Sequence, residues 1–189
     1  MRKSIAIIGN AGLPPEHQNY QLAFAAGKAL VDAGYRVQSG GLTGVMEAAF
    51  AGAHASKNYR EGDTLAILPS FDRTSANAYA DIVVPTGLDV MRNAVVINAD
   101  AVIAVGGGAG TLSEMAYAWS FGRLLIAYKN AEGWSSRLAD TRLDDRVRCP
   151  LPDDRVYGVQ SAEEMLAVLS EHLEHYAAPH LGIGHRPIQ

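Results

Sequence analysis

Apolar residues follow two patterns along almost the whole chain. Short runs made almost entirely of apolar residues are typical of strands buried in a parallel sheet, and longer stretches with apolar positions three and four residues apart are typical of amphipathic helices. The short runs predict strands at 4–8, 35–39, 64–68, 81–84, 101–105, 124–128 and 155–159. The periodic stretches predict helices at about 14–33, 45–53, 111–119 and 161–176, and a further helix that carries Met91, Arg92 and Asn93.

The alternation of these elements predicts an α/β fold: a Rossmann-like, doubly wound parallel sheet with helices on both faces, in a single domain. We assign residues 1–176 to this domain and 177–189 to a loosely ordered tail. The first strand is placed at the centre, with the second strand on one side of it and strand 101–105 on the other. In such sheets ligands bind beyond the carboxyl ends of the strands, where the winding reverses.

The region from Asn130 to Asp154 has no clear periodic pattern and is rich in Arg and Asp, with Pro150 and Pro152 interrupting it. A stretch of this length without an obvious element is more often a functional loop or an oligomer contact than a disordered insert. We therefore predict one of those two roles for it.

Glycine-rich turns follow three of the predicted strands. Glycine lets the backbone turn tightly and approach a ligand, and the first turn of a helix offers unpaired N–H groups, so these turns together predict a site for a phosphate. Alternatively, some of these glycines are present only because a tight turn requires them, without any contact to a ligand. The residues expected to bind the anion are Gly9, Asn10, Gly40, Gly41, Gly107, Gly108, Gly110 and Thr111.

Composition excludes several classes of protein. Of 189 residues, 48% are hydrophobic, which excludes a disordered chain, and the formal net charge of -4 gives no reason to expect nucleic acid or an anionic membrane as a partner. The single cysteine, Cys149, excludes an internal disulfide. No segment has the pattern of a signal peptide, a membrane span or a metal site, so we expect a cytoplasmic protein without a bound metal.

Residues 107–114, Gly-Gly-Ala-Gly-Thr-Leu-Ser-Glu, resemble the PGGxGTxxE signature of the Lonely Guy (LOG) proteins. Enzymes of that family hydrolyse nucleoside 5′-monophosphates at the N-glycosidic bond. The resemblance extends to residues 40–46 and 67–69 and to Arg92, and it covers most of 3–128.

The sequence departs from the LOG pattern at two places, and both departures favour a binding protein over a hydrolase. Gly106 replaces the proline, and Met91-Arg92-Asn93 stands where the hydrolases carry Glu-Arg-Lys. With Thr86-Gly87, the chain is more similar to the molybdenum cofactor carrier proteins and their bacterial relatives, which are binding proteins, often oligomeric, that hold a phosphorylated pterin. The resemblance implies a carrier for a phosphorylated heterocycle, with molybdenum cofactor or a nucleotide-like molecule as cargo, contacted by Arg92, Asn93 and Glu114 besides the glycine turns.

The alternative function is a LOG-type phosphoribohydrolase that releases base and ribose 5-phosphate. The resemblance then implies that Arg92 and Glu114 are the catalytic pair. Cleaving a glycosidic bond requires a carboxylate near the ribose and an anchor for the phosphate. A structural role remains open for both residues, since Glu114 is placed to interact with a helix dipole and Arg92 to form a surface or intersubunit ion pair.

Ala-rich helical segments at 94–99 and 115–119 indicate that a partner subunit covers some helix faces, because large apolar patches are unusual on monomers. We therefore predict a homodimer or a homotetramer.

Overall fold

In the computed structural model, which describes residues 2–182, seven strands form one sheet in which every neighbouring pair is parallel. They are β1 (Ser4–Gly9), β2 (Arg36–Ser39), β3 (Thr64–Leu68), β4 (Ile82–Pro85), β5 (Ala101–Val105), β6 (Leu124–Tyr128) and β7 (Tyr157–Val159). The strand order is β4-β3-β2-β1-β5-β6-β7. The winding therefore reverses between β1 and β5, and the predicted central position of the first strand is confirmed.

Helices cover both faces of the sheet. They are α1 (Gln18–Asp32), α2 (Val45–His54), α3 (Asn93–Val96), α4 (Ala109–Ser120), α5 (Trp134–Leu138) and α6 (Ala162–His172). Each face of the sheet packs against helices in its own hydrophobic core. Successive side chains of β1 enter these two cores alternately, because side chains along a strand point to opposite faces. Ile7 packs in the core that contains Phe50 of α2, and Ile8 packs in the core that contains Met115 of α4. The doubly wound architecture is thus confirmed.

Three helices begin at positions other than those predicted. Met91 and Arg92 lie in a 3-10 turn, Asp89–Arg92, and the helix predicted to carry them, α3, begins at Asn93. The first helix starts at Gln18 and not at the two prolines, because the His17 N–H bonds to the Pro14 carbonyl in a separate turn (3.1 Å) and the His17 imidazole then caps the Asn19 N–H (3.1 Å). The helix of the glycine motif starts at Ala109, two residues earlier than the predicted Thr111. Its first turn therefore lies within the glycine-rich segment.

The last two predicted elements are shorter than expected. The final strand begins at Tyr157, where pairing with β6 starts, and not at residue 155. The final helix begins with Ser161 accepting from the Glu164 N–H (3.3 Å), as its capping sequence predicted, but ends at His172 and continues as a 3-10 turn, Leu173–Tyr176.

The region from Asn130 to Asp154 contains the short helix α5, which the sequence pattern did not reveal. Of the predicted tail, residues 177–182 carry no helix or strand, and 183–189 lie outside the described residues. Among residues 2–182, no helix combines the length and the apolar character needed to cross a membrane.

Candidate functional site

A cavity of about 400 Å³ lies at the carboxyl edge of the sheet, at the point where the winding reverses. Its volume is within the range of small-molecule sites. The predicted site residues that line it are Gly9, Asn10, Arg92, Asn93, Gly108, Gly110, Thr111 and Glu114. Three predicted residues do not line the cavity: Gly40, Gly41 and Gly107. They allow close packing of neighbouring groups, as described below.

The start of α4 opens onto this cavity without a cap. Gly108 is the N-cap residue and supplies no side chain, and the first backbone bond of the helix is from the Leu112 N–H to the Gly108 carbonyl (2.9 Å). No hydrogen bond within residues 2–182 engages the N–H groups of residues 108–111. Unpaired N–H groups and the positive end of the helix dipole make this helix start suitable for an anion.

The glycine turn before α4 depends on conformations that only glycine adopts easily. Gly106 and Gly107 have φ angles of 67° and 97°. Proline, which the LOG signature has at the position of Gly106, is fixed near a φ of about −65° and cannot adopt this turn. A Cβ at Gly107 would lie 2.3 Å from the Cβ of Thr111. Gly107 therefore allows the turn to pack closely against the first turn of α4.

Neighbouring loops fix this turn through buried hydrogen bonds. The Gly106 N–H donates to Ser135 Oγ (2.7 Å), and the Trp134 N–H donates to the Gly107 carbonyl (2.9 Å). On the other side, the Gly107 N–H donates to Asn10 Oδ1 (2.7 Å), and the Asn10 carbonyl accepts from the Val45 N–H (2.9 Å). Asn10 thus lines the cavity and also ties the β1 loop to α2 and to the glycine turn.

Arg92 lies in the interior, with 8% of its surface exposed. It comes from the 3-10 turn Asp89–Arg92, and its Nη1 donates to the carbonyls of Gly40 (2.9 Å) and Ile67. Burial lowers the pKa of the guanidinium, and the nearby Glu114 and Asp89 carboxylates oppose that shift. Because Arg92 is buried and bonded to backbone carbonyls, it does not serve as a partner in a surface ion pair.

The two glycines after β2 make room for neighbouring groups. A Cβ at Gly40 would lie 2.4 Å from Arg92 Nη1, so only glycine admits the guanidinium in its present position. Gly41 has a φ of 76°, and a Cβ there would lie 2.6 Å from the Cβ of Ala66.

Glu114 is 9% exposed and lines the cavity from α4. Its carboxyl forms no hydrogen bond with any described residue, so it does not cap the helix. Burial raises the pKa of this carboxyl to about 7, although Arg92 opposes the rise. Near neutral pH the group can therefore either donate or accept a hydrogen bond.

Thr111 and Asn93 complete the region around the start of α4. Thr111 is 4% exposed, and its hydroxyl forms no hydrogen bond with another described residue. Asn93 Nδ2 donates to Ser113 Oγ (2.8 Å), which donates to the Gly110 carbonyl (2.7 Å). This chain of bonds fixes Asn93 relative to the helix start.

Several lining residues were not predicted from the sequence. Leu42, Met46 and Pro69 supply apolar surface, and Asp89 supplies a second carboxylate. Asp89 has a φ of 48°, which is uncommon outside glycine. No motif singles it out, and its place in the cavity depends on the loop after β4. Within residues 2–182 there is no group of three His, Cys, Asp or Glu residues that could hold a metal ion.

A parallel sheet whose winding reverses between β1 and β5, with a glycine turn and an uncapped helix at that point, defines a Rossmann-like α/β protein. The chain belongs to the SLOG cluster4 family, whose model matches residues 2–152. The predicted resemblance to the LOG proteins is thereby confirmed.

An uncharacterized protein from Archaeoglobus fulgidus is 36% identical to the chain over 115 residues, which are 60% of this chain and 73% of that protein. A structural-genomics target solved by X-ray crystallography is 26% identical, with a TM-score of 0.75, over 89% of this chain and 99% of that one. The molybdenum cofactor binding protein from the phototrophic bacterium Rippkaea orientalis is 28% identical, with a TM-score of 0.73, over 90% and 96% of the two chains.

DNA processing protein A from Helicobacter pylori has the same fold, with a TM-score of 0.63 at 18% identity over 89% of this chain and 80% of that one. That structure concerns single-stranded DNA binding. At this identity the likeness shows only the fold, and the absence of nucleic acid among the partners of the present chain stays a prediction.

Proposed function

We propose that this protein binds and carries a phosphorylated heterocycle, either molybdenum cofactor or a nucleotide-like molecule, without turning it over. The observation that carries the proposal is the uncapped start of α4, where the N–H groups of residues 108–111 lack partners among the described residues beside a cavity of about 400 Å³. A phosphate at that position accepts these hydrogen bonds and gains from the helix dipole.

The rest of the cavity suits the heterocyclic part of such a ligand. Leu42, Met46 and Pro69 offer apolar contacts to a ring, and Asn93, Arg92 and Glu114 offer polar ones. Apolar surface with a few fixed polar groups is the usual composition of a small-molecule site. The 28% identity to the Rippkaea orientalis molybdenum cofactor binding protein supports a carrier role.

One observation favours hydrolysis of a nucleoside monophosphate as a second candidate function. Glu114 has a pKa raised to about 7, as expected of a group that exchanges protons near neutral pH. Arg92 argues in the other direction, since its Nη1 already bonds two backbone carbonyls. A hydrolase needs that guanidinium to act on the ligand, whereas in a carrier it can hold the site in shape and contact the ligand through its remaining N–H groups.

Gly108→Ala and Gly110→Ala test the proposed phosphate position. An added Cβ meets no atom within 4 Å at either residue, and neither has a positive φ, so both variants should fold with wild-type stability. Both glycines line the cavity at the start of α4, so we expect the new methyl to hinder a phosphate from reaching the amides. We expect calorimetric titration with guanosine 5′-monophosphate, and gel filtration with free molybdenum cofactor, to show affinity lowered at least about tenfold.

Ala116→Ser is the matched control, since it adds one atom to an exposed position of α4 that does not line the cavity. It should bind like the wild type. Chromatography of the protein incubated with guanosine 5′-monophosphate distinguishes the two candidate functions. Release of free base by the wild type but not by Glu114→Gln would establish the hydrolase and overturn the carrier. Equal affinity in Gly108→Ala, Gly110→Ala and the wild type would overturn the phosphate position.

A further inference from the structure

Two carboxylates line the same cavity as the unpaired amides of α4. Glu114 is nine-tenths buried there and forms no hydrogen bond with the described part of the chain. Asp89 is exposed at the same cavity, and its carboxylate also accepts no hydrogen bond from residues 2–182. Neither forms a salt bridge with Arg92, whose Nη1 is bonded to carbonyls. A buried carboxyl without a partner is costly, so this cavity is built to receive a ligand with polar groups of its own.

Asp89 and the start of α4 reach the cavity from different parts of the sheet. The Asp89 N–H donates to the carbonyl of Pro69 (2.9 Å), the residue after β3, whereas α4 follows β5. In the sheet, β2 and β1 lie between β3 and β5, so the two groups approach the cavity from separate strands. A phosphorylated heterocycle with its phosphate at α4 can therefore extend its ring towards Asp89.

The other non-glycine residue with positive φ in the described chain shows what is unusual about Asp89. Asp140, with a φ of 60°, accepts from the Gly158 N–H (3.0 Å) and pairs with Lys129 (3.0 Å), so its strained position serves the fold. Asp89 has no such partners for its carboxylate. The Asp89 backbone is tied to Pro69 by its N–H, but its carboxylate is left facing the cavity, and strained backbone conformations cluster at functional sites.

We propose that Asp89 selects ligands whose heterocycle carries a ring N–H next to an exocyclic amino group, the arrangement shared by guanine and pterin. The proposal rests on the carrier function argued above. A carboxylate has two acceptor oxygens and pairs with two adjacent donors. Adenine instead presents an amino group next to a ring nitrogen that is itself an acceptor, and a carboxylate repels that nitrogen. Asp89 thus favours guanine-type and pterin-type rings and disfavours adenine.

Calorimetric titration of the purified protein with three nucleotides tests this selectivity. Guanosine 5′-monophosphate has both donors, inosine 5′-monophosphate lacks the amino group, and adenosine 5′-monophosphate has the mismatched edge. We expect the wild type to bind the guanine nucleotide at least about tenfold more tightly than the adenine nucleotide, with the inosine nucleotide between them.

Asp89→Asn is the informative variant, because asparagine tolerates the same positive φ and has nearly the same shape. It should lower affinity for the guanine nucleotide at least about tenfold and bring the guanine-to-adenine ratio close to one. Glu61→Gln, at an exposed position that does not line the cavity, is the matched control for the lost charge and should leave both affinities unchanged.

Three outcomes would overturn the proposal, and they separate it from the carrier function. A wild type that prefers the adenine nucleotide, or an unchanged ratio in Asp89→Asn, overturns the role of Asp89; if Gly108→Ala still weakens binding of all three nucleotides, the carrier function survives. The absence of saturable binding of every nucleotide and of molybdenum cofactor overturns both.

Discussion

Arg92 and Glu114 share one cavity but form no salt bridge with each other. The Arg92 guanidinium is held by the backbone carbonyls of Gly40 and Ile67, while the Glu114 carboxyl forms no hydrogen bond with the described residues. Burial therefore dominates the pKa of Glu114 and raises it to about 7 despite the nearby positive charge. The cavity therefore holds a carboxyl group that is only partly ionised near neutral pH.

Glu114→Gln should make stability less dependent on pH. The folded pKa of Glu114, about 7, lies above its ordinary value of 4.5, so between these values the folded state binds more protons than the unfolded state. The free energy of unfolding of the wild type therefore falls as the pH rises from 4.5 to 7. Chemical denaturation should show that Glu114→Gln is as stable as the wild type near pH 4.5. At pH 8 the same variant should be more stable than the wild type by about 3 kcal/mol.

Glu163→Gln provides a control of opposite sign. The Ser161 hydroxyl lowers the pKa of the Glu163 carboxyl, so the ionised form contributes stability that is present above the ordinary pKa and is lost as the pH falls. This variant should be less stable than the wild type at neutral pH. If the difference in the free energy of unfolding between Glu114→Gln and the wild type does not change with pH, the raised pKa of Glu114 is contradicted.

Gly40→Ala should displace Arg92 at a limited cost in stability. The added Cβ would lie 2.4 Å from Arg92 Nη1 and 2.7 Å from Met46 Sδ, and both atoms are at the ends of flexible side chains that can move. We expect the free energy of unfolding to fall by about 1–3 kcal/mol, as for moderate overpacking. Because Arg92 and Met46 both line the cavity, calorimetric affinity for guanosine 5′-monophosphate should fall at least about tenfold.

Gly41→Ala is the comparison for this variant, since its φ of 76° is unfavourable for alanine and its Cβ would meet the Cβ of Ala66 in the sheet. It should lose more stability than Gly40→Ala in the same denaturation experiment. Unchanged nucleotide affinity in Gly40→Ala would show that the position of Arg92 does not matter for binding.

The sheet and the position of the site could be predicted because both depend on local sequence. Strands buried on both faces require nearly continuous apolar runs, such as residues 101–105, and the glycine turn from Gly106 to Gly110 marks a strand-to-helix junction by its composition. The reversal of the winding between β1 and β5 then determines which loops meet.

Features that depend on tertiary contacts could not be predicted. Helix α5 is too short to show a period, and bonds from the Trp134 and Ser135 N–H groups to the glycine turn hold its first residues. His17 caps α1, although histidine is not among the preferred N-cap residues. Asp89 reaches the cavity through the loop after β4, and no sequence pattern reports the path of that loop.

Asn19→Ala should destabilise the protein strongly for a residue outside the apolar core. Asn19 is 1% exposed; its Nδ2 donates to Asn10 Oδ1 and to the Glu132 carbonyl, both at 3.0 Å, and its Oδ1 accepts from the Glu132 N–H (3.1 Å). Alanine leaves these buried groups without partners, at a cost of about 2–4 kcal/mol in the free energy of unfolding. Denaturant titration measures the difference.

Asn58→Ala is the matched control, because Asn58 Nδ2 also bonds a backbone carbonyl, that of Asp32 (3.1 Å), but at the surface. Its loss should cost about 1 kcal/mol or less. Equal losses for the two variants would mean that the bonds linking α1 to the loop after β6 add nothing to stability.

The segments 94–99 and 115–119, from which a homodimer or homotetramer was predicted, pack largely within the subunit, with Ile97 and Met115 fully buried. Exposed apolar side chains just before and within α3 support the prediction instead. Val90 and Met91 are 68% and 66% exposed, and Val95 is 40% exposed within the same short segment. Apolar groups clustered in this way on a surface are typical of subunit contacts. Sedimentation equilibrium at micromolar concentration should therefore give a mass of two or four chains of 20.1 kDa, and Met91→Lys should shift the equilibrium towards the monomer. Leu181→Lys, at a 68% exposed position after α6, should leave the mass unchanged, and a monomeric wild type would contradict the prediction.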